Sequence, residues 1–272
     1  MMADSETYEI LALKYAERSN RTRADSFIFD DDHASEHTID YFVWLVRNDN
    51  RTIVVDTGYD RPEGLRRGRN VLIEPRTLLK ELDIDAAVID DVVVTHMHYD
   101  HAGGLHHFPK AQFHLQEAEM AYATGPCMCH AALQMPFTAE HVCEMVRHVY
   151  SGRVTFHDGD GEIAPGITVH QIGGHSRGLQ SVRVMTERGP VVLASDASHF
   201  YENFEQKKLF PIVIDVEAML AGFDRLLALS ENTPERIVPG HDPLVLNRYP
   251  ALSERTEGSV HRLDVAPRNG AG

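Results

Sequence analysis

The feature that most constrains this chain is a run of histidines and aspartates directly after an apolar segment. The run reads His-Met-His-Tyr-Asp-His over residues 96–101 and is followed by Ala-Gly-Gly. Residues 91–95 before it are mostly β-branched, as in a buried strand, so the polar side chains stand at the carboxyl end of that strand. Imidazole and carboxylate together favour zinc or a similar divalent ion, whereas an all-oxygen set would favour magnesium or calcium. The run therefore predicts a metal site with enough ligands for two ions.

Backbone geometry limits how these side chains can share a site. Side chains alternate along an extended strand, which predicts His96, His98 and Asp100 on one face. Asp100 and His101 are neighbours, so both can serve one site only if the chain bends there, as the following glycines permit. The alternative is a histidine-rich surface loop with chance spacing, which the preceding strand disfavours.

Composition restricts the class of protein. The chain has 272 residues, 43% of them hydrophobic, enough for a substantial core in one large domain or two small ones. Its formal charge of −15 disfavours nucleic acid or an anionic membrane surface as a partner. We find neither a secretory signal pattern nor an apolar run of about 18 residues. These features predict a soluble cytoplasmic protein that acts on a small molecule.

Hydrophobic patterning predicts two β-rich halves flanked by helices. Strands are predicted at residues 7–14, 41–47, 52–56, 91–95, 111–115, 154–157, 167–172, 180–185 and 191–194. Helices are predicted at residues 75–82, 117–124, from near 138, and 216–229. We expect one domain over residues 1–250 and a polar C-terminal tail over 251–272.

Residues 125–150 interrupt the strand rhythm and contain all three cysteines, Cys127, Cys129 and Cys143. This segment is a candidate substrate lid or homodimer contact, although its methionine and aromatic content is also typical of ordinary core. An odd, clustered set of cysteines does not make a disulfide framework. A second metal site at residues 127–130 and reduced thiols near a pocket or subunit contact both remain open.

Four further polar residues follow apolar strands elsewhere in the chain. Asp56 ends a predicted strand, where it either supports a metal ligand or caps the turn. His175, Asp196 and His241 each stand in a loop after an apolar run. Each alone is more typical of a buried polar residue, but together with the run at 96–101 they indicate one composite site.

This combination resembles the metallo-β-lactamase superfamily, whose HxHxDH motif matches residues 96–101 and whose later histidine, aspartate and histidine match the same three positions. The order and rough spacing cover residues 40–245. The resemblance implies an α/β fold, a single-domain four-layer αββα sandwich, with the site between the two sheet edges. It also implies two Zn²⁺ ions, one held by His96, His98 and His175 and the other by Asp100, His101 and His241. Asp196 would bridge them.

Details of the motif favour one branch of that superfamily. His98 stands where the diiron flavoprotein branch carries a glutamate, which favours a hydrolase, and no stretch is long enough for a nuclease clamp domain. The His-Tyr-Asp-His-Ala-Gly-Gly run and the Ser-Asp-Ala-Ser segment look most like the N-acyl homoserine lactonases. The resemblance implies a quorum-quenching lactonase, in which hydroxide bridging the two metals opens the lactone ring.

One position departs from the best-known lactonases, which carry a tyrosine three residues after the bridging aspartate. Here that position is His199, and Tyr201 lies two residues farther on. Either could assist the substrate oxygen, and Asp100 is a further candidate proton donor. The alternative is that His199 packs against Phe200 without touching substrate.

Two other functions remain open. The first is hydrolysis of another ester, thioester, amide or phosphotriester in small-molecule catabolism. The second is a non-enzymatic metal-binding or sensor protein, which the full set of seven candidate ligands disfavours, because a structural role calls for a closed site.

Overall fold

The computed structural model of the protein describes residues 6–268, in which thirteen strands form two sheets. The strands are β1 Glu9–Arg18, β2 Ile39–Arg47, β3 Thr52–Val55, β4 Asn70–Val71, β5 Asp91–Val93, β6 Gln112–Gln116, β7 Val154–His157, β8 Gly161–Ala164, β9 Ile167–Gln171, β10 Gln180–Thr186, β11 Gly189–Ser195, β12 Ile237–Pro239 and β13 Val260–Arg262. The helices are α1 Arg61–Arg66, α2 Pro75–Glu81, α3 Glu117–Ala123, α4 Ala131–Gln134, α5 Ala139–Tyr150, α6 Tyr201–Gln206, α7 Val216–Leu229 and α8 Leu244–Arg248.

Strand direction brings several loops to the same edge. The first sheet has the order β13-β1-β2-β3-β5-β6-β7, with β4 paired to the far end of β1, and the second has the order β12-β11-β10-β9-β8. In the first sheet β3, β5, β6 and β7 run parallel, and in the second β11 and β12 run parallel. Because parallel strands end at the same edge, the loops after β3, β5 and β6 are neighbours, as are those after β11 and β12.

Alternating side chains divide the apolar core into two parts. Along β1, Ile10 and Ala12 belong to the core that includes the second sheet, whereas Leu11 and Leu13 belong to the core that includes α2 and α5. Helix α7 packs its apolar side into the second sheet's core. The layers run helix, sheet, sheet, helix, so the predicted αββα sandwich is confirmed.

The predicted strands and helices are all present, with ends that shift by up to four residues. Strand β8, which the sequence analysis did not predict, is a partly exposed edge strand with only two apolar residues. Residues 260–262 of the expected polar tail form β13, because backbone pairing with β1 needs no apolar run. Residues 269–272 of that tail lie outside the described part. Within residues 6–268, no helix has both the length and the apolar character that a membrane crossing needs.

A buried carboxylate on α3 joins two loops that the sheets bring close together. Glu119 is fully buried, and it accepts hydrogen bonds from the backbone N–H groups of Met97 and Gly178, both at 2.9 Å. The Ser176 hydroxyl donates to the same carboxylate. Glu119 therefore fixes the loop after β5 relative to the loop after β9. A single buried carboxylate has no periodic signal, so sequence analysis did not single it out.

We expect Glu119→Gln to lower the free energy of unfolding by about 2 kcal/mol, because an amide N–H would then face buried N–H donors. Glu117→Gln, on the exposed side of the same helix, is the matched control and should change stability little. Urea denaturation measures both. Equal midpoints for the two variants would show that Glu119 does not stabilise these loops.

Candidate metal centre

The seven predicted ligands lie in loops that the two sheets bring to one place. His96 and the rest of the first motif follow β5, His175 follows β9, and Asp196 and His241 follow β11 and β12. All seven side chains are buried, the most exposed being Asp100 at 8%. The site therefore lies between the ends of the two sheets.

The first group contains His96, His98, His175 and Asp196, whose candidate ligand atoms all lie within 4.8 Å of one another. Nδ1 of His98 is 2.9 Å from Nε2 of His175. Asp196 Oδ2 is 3.0 Å from that Nε2 and 3.6 Å from Nε2 of His96. Three imidazoles and one carboxylate oxygen thus converge on a single point, a donor set suited to zinc.

The second group contains Asp100, His101 and His241. Asp100 Oδ2 is 3.8 Å from Nε2 of His101 and 3.9 Å from Nε2 of His241. Asp196 Oδ1 lies 3.2 Å from Nε2 of His101 and 2.9 Å from Nε2 of His241. Because its other oxygen belongs to the first group, Asp196 stands between the two.

The expectation that His96, His98 and Asp100 share one face is wrong. Strand β5 ends at Val93, and residues 98–104 form turns instead of continuing the strand. Asp100 therefore points to the group of His101, and the period of two does not apply.

Several ligand atoms are buried without a hydrogen-bond partner in the described part of the chain. They are Nε2 of His96, Nε2 of His101 and Oδ1 of Asp196. Buried polar atoms are normally paired, so such atoms facing one another need a positive charge between them. The site fits divalent cations for this reason.

In two of the imidazoles, the ring nitrogen that faces away from the centre contacts a backbone carbonyl. Nδ1 of His175 lies 2.8 Å from the carbonyl oxygen of Ile212, and Nδ1 of His241 lies 2.8 Å from that of Asp40. A histidine that donates through Nδ1 presents the Nε2 lone pair, which is the form that binds metal.

Of the two roles left open for Asp56, contact with a predicted ligand is the one present in the structure. Its Oδ2 is 2.7 Å from Nδ1 of His101, and the N–H and hydroxyl of Thr95 donate to the carboxylate at 2.7 and 2.8 Å. The Thr95 hydroxyl also lies 2.9 Å from that of Ser195 in the second sheet. Asp56 and Ser195 have φ angles of 61° and 49°, in the left-handed region that such residues rarely occupy. Strained backbone of this kind is typical of functional sites.

Burial and neighbouring charges set the protonation of the site. Burial, assisted by neighbouring imidazoles, lowers the pKa of His96 and of His98 well below the usual value, which keeps their lone pairs free. Burial alone would raise the pKa of Asp196, but the imidazoles of His199, His241 and His101 hold it well below the usual value. The Asp196 carboxylate is therefore an anion.

The two predicted substrate-assisting residues have different locations. His199 lines the cavity above the metal centre, with Nε2 3.0 Å from Asp196 Oδ2 and its ring stacked on Phe210 at 3.4 Å. Burial lowers its pKa to about 3, and its Nδ1 has no partner in the described part. Tyr201 does not line this cavity, because its ring packs in the core that includes the second sheet.

The cavity has a volume of about 190 Å³, and its floor is formed by metal-centre residues. Met135 and Pro136 of the 125–150 segment form part of its wall. A neighbouring cavity of about 530 Å³ shares Met135 and contacts Cys143. The three cysteines are free thiols, and none belongs to a candidate ligand group in the described residues.

Comparisons with known proteins agree with this geometry. An N-acyl homoserine lactonase from a Bacillus species is 29% identical over 237 residues, which cover 80% of this chain and 84% of that protein. The N-acyl homoserine lactonase AiiA of Bacillus thuringiensis subsp. kurstaki is 31% identical over 219 residues, which cover 74% and 81%. These comparisons lend no support to a homodimer.

Solved structures share the fold. A quorum-quenching N-acyl homoserine lactone lactonase superposes with a TM-score of 0.72 at 23% identity, covering 88% of this chain and 94% of that one. A profile of the metallo-beta-lactamase superfamily matches residues 40–241. The chain therefore belongs to the metallo-β-lactamase superfamily, and its relatives support a place in the N-acyl homoserine lactonase branch.

Proposed function

We propose that this protein is a dinuclear zinc hydrolase that opens the ring of an N-acyl homoserine lactone or a similar lactone. The observation that carries the proposal is the set of buried, unpartnered ligand atoms of His96, His101 and Asp196, the last of which lines the cavity. The lactonase relatives support the choice of a lactone. Zinc is the choice because both groups combine imidazole nitrogens with carboxylate oxygens.

Most of the proposed site residues would bind the ions, and two would move protons. His96, His98 and His175 would hold one ion, Asp100, His101 and His241 the other, and Asp196 both. Two bound ions supply an activated water and polarise the substrate carbonyl. Asp100 and His199, which both line the cavity, are proposed to move protons.

His199 is proposed to hydrogen-bond the substrate oxygen that leaves the carbonyl carbon. Its Nδ1 has no protein partner, and stacking on Phe210 fixes the plane of the ring. Its low pKa keeps the ring neutral near pH 7, so that only one ring nitrogen carries a proton. With both oxygens of Asp196 bound to ions, that proton would stand on Nδ1, which would donate it to the substrate oxygen.

Residues 125–150 are proposed to cover the substrate. The backbone N–H of Tyr99, inside the metal-binding motif, donates to the carbonyl oxygen of Pro136 at 2.8 Å. Through this bond the segment is attached to the site that its Met135 and Pro136 help to enclose.

Activity should require metal and the bridging carboxylate. We expect the zinc-loaded protein to open lactones from an N-acyl homoserine lactone panel and the chelated protein to open none. Asp196→Asn and His98→Ala should abolish turnover and retain the fold by circular dichroism.

Product analysis on esters, thioesters, amides and phosphotriesters separates the alternative hydrolases. Tight zinc binding without turnover of any of these would favour a sensor instead.

Asp56→Asn should weaken zinc binding about 10- to 100-fold, because the support of His101 is lost. Asparagine tolerates the left-handed backbone at this position, so the turn itself should persist. Asp49→Asn, exposed before β3 and outside both the cavity and every candidate ligand group of the described residues, is the control. Competition with a chromogenic chelator measures both affinities. Unchanged affinity in Asp56→Asn would contradict the supporting role.

His199→Phe should lower kcat at least ~10²-fold at unchanged zinc content if the imidazole assists the leaving oxygen. His199→Tyr, which introduces the lactonase residue, should retain substantially more activity. Steady-state kinetics and elemental analysis test this together. A loss of zinc in His199→Phe would make His199 a ligand, and an unchanged kcat would assign it to packing alone.

A further inference from the structure

The wall of the metal-centre cavity carries a cluster of cationic side chains. Arg18 is the last residue of β1, Arg21 lies in the turn after it, and Arg69 directly precedes β4, and all three line the cavity. We refer to these three as the arginine rim. In a chain with a formal charge of −15, such a local concentration of positive charge is a specific feature of this cavity.

The arginine rim has unused hydrogen-bonding capacity. Arg21 is only 6% exposed, yet its Nη1 has no partner in the described part of the chain. Its Nη2 donates to a backbone carbonyl, that of Asp25. Within residues 6–268, none of the three arginines forms an ion pair with a carboxylate, and the Arg18 guanidinium makes no hydrogen bond to the protein.

Arg67, which lines the same cavity, shows how an arginine with a structural role differs. Its guanidinium pairs with Glu63 at 2.6 Å and donates to the carbonyl oxygens of Met135 and Phe137. It also lies over the ring of Tyr99. Arg67 is thus held by an ion pair and by backbone carbonyls, whereas in the described chain the arginines of the arginine rim have no ion pair and keep donors free for a ligand.

Burial and like charges destabilise the cation of Arg21. Burial lowers the pKa of Arg21, and the charges of Arg18 and Arg69 add to this effect, although Tyr41 and Asp25 oppose it. The Asp25 carboxylate itself accepts a hydrogen bond from the N–H of Thr22. An unpaired buried cation is costly, and an anionic ligand would relieve that cost.

Two tyrosines connect the arginine rim to the metal centre. Nε of Arg69 donates to the Tyr99 hydroxyl at 3.1 Å, and that hydroxyl lies 3.3 Å from the hydroxyl of Tyr41. The Tyr41 ring packs against the ring of His241, with centroids 5.3 Å apart. The arginine rim and the metal ligands are therefore separated by only two tyrosine side chains, so one small molecule can contact both.

We propose that the arginine rim binds a carboxylate of the substrate, so that among the lactones and esters of the proposed function the protein prefers a compact one that carries a carboxylate group. This inference rests on the proposed hydrolase function. Guanidinium groups match the planar, two-oxygen geometry of a carboxylate. A cavity of about 190 Å³ is also smaller than the ~300–1,000 Å³ typical of pockets for larger ligands, which favours a compact substrate.

A matched substrate pair tests the charge directly. The zinc-loaded enzyme is assayed with a γ-lactone bearing a ring carboxylate and with the same lactone bearing a primary carboxamide. We expect kcat/KM to be at least ~10-fold higher for the carboxylate, since one charge-assisted hydrogen bond is worth that factor or more. Arg21→Gln and Arg18→Gln should each bring the ratio towards one. Arg76→Gln, exposed on α2 and outside the cavity, should leave the ratio as in the wild type.

Binding provides a readout that does not require turnover. Calorimetry on the zinc-loaded protein compares glutarate with glutaramate, in which an amide replaces one carboxylate. Glutarate should bind more tightly to the wild type, and Arg21→Gln should remove the difference. Arg18 is less buried than Arg21, so Arg18→Gln keeps the test valid if Arg21→Gln unfolds.

The outcomes separate this inference from the proposed function. If no lactone or ester is opened, the hydrolase proposal fails, and the glutarate comparison still decides whether the arginine rim binds carboxylate. Equal kcat/KM for carboxylate and carboxamide, with equal affinity for glutarate and glutaramate, would overturn the inference. Binding of inorganic phosphate is measured in the same way. If Arg21→Gln weakens phosphate binding more than glutarate binding, the group that the arginine rim recognises is a phosphate and the carboxylate inference is overturned.

Discussion

Five imidazoles and two carboxylates converge where both sheets end, and three of their facing atoms, in His96, His101 and Asp196, have no hydrogen-bond partner in the described chain. This crowding is the constraint to which the surrounding structure conforms. The edges of the ligands that face away from the centre are held by the protein, as in the contacts of Asp56 with His101 and of the Ile212 carbonyl with His175. The protein therefore already orients the ligands from outside, and cations at the centre would satisfy the atoms that face inward.

The fold supplies this arrangement through two sheets that meet at the same edge. The loops of the first sheet are joined to those of the second by Glu119 and by the pair of hydroxyls on Thr95 and Ser195. Gly240 is part of the same fit, because a Cβ there would lie 2.8 Å from the backbone of Ser195. The site is thus built from long-range contacts between rigid strand ends, which suits a centre that must hold its geometry.

Local patterns in the sequence were sufficient to predict most of the strands, whereas the αββα layers and the full set of seven residues depended on the superfamily resemblance. A β-branched run followed by histidines is visible within ten residues, and the superfamily pattern supplied the distant positions. The grouping of Asp100 with His101 was not predictable from strand periodicity, because the chain turns after Val93. Glu119 and the arginine rim have no periodic or motif signal, since their roles depend on residues far away in the sequence. Tyr201, close to His199 in the chain, lies in the core because α6 begins there and turns the side chain away from the cavity.

Anomalous diffraction from crystals of the zinc-saturated protein would locate the bound ions. We expect two anomalous peaks per chain, one among His96, His98 and His175 and one among Asp100, His101 and His241, with Asp196 contacting both. A single fully occupied site, or zinc bound only elsewhere on the chain, would contradict this expectation.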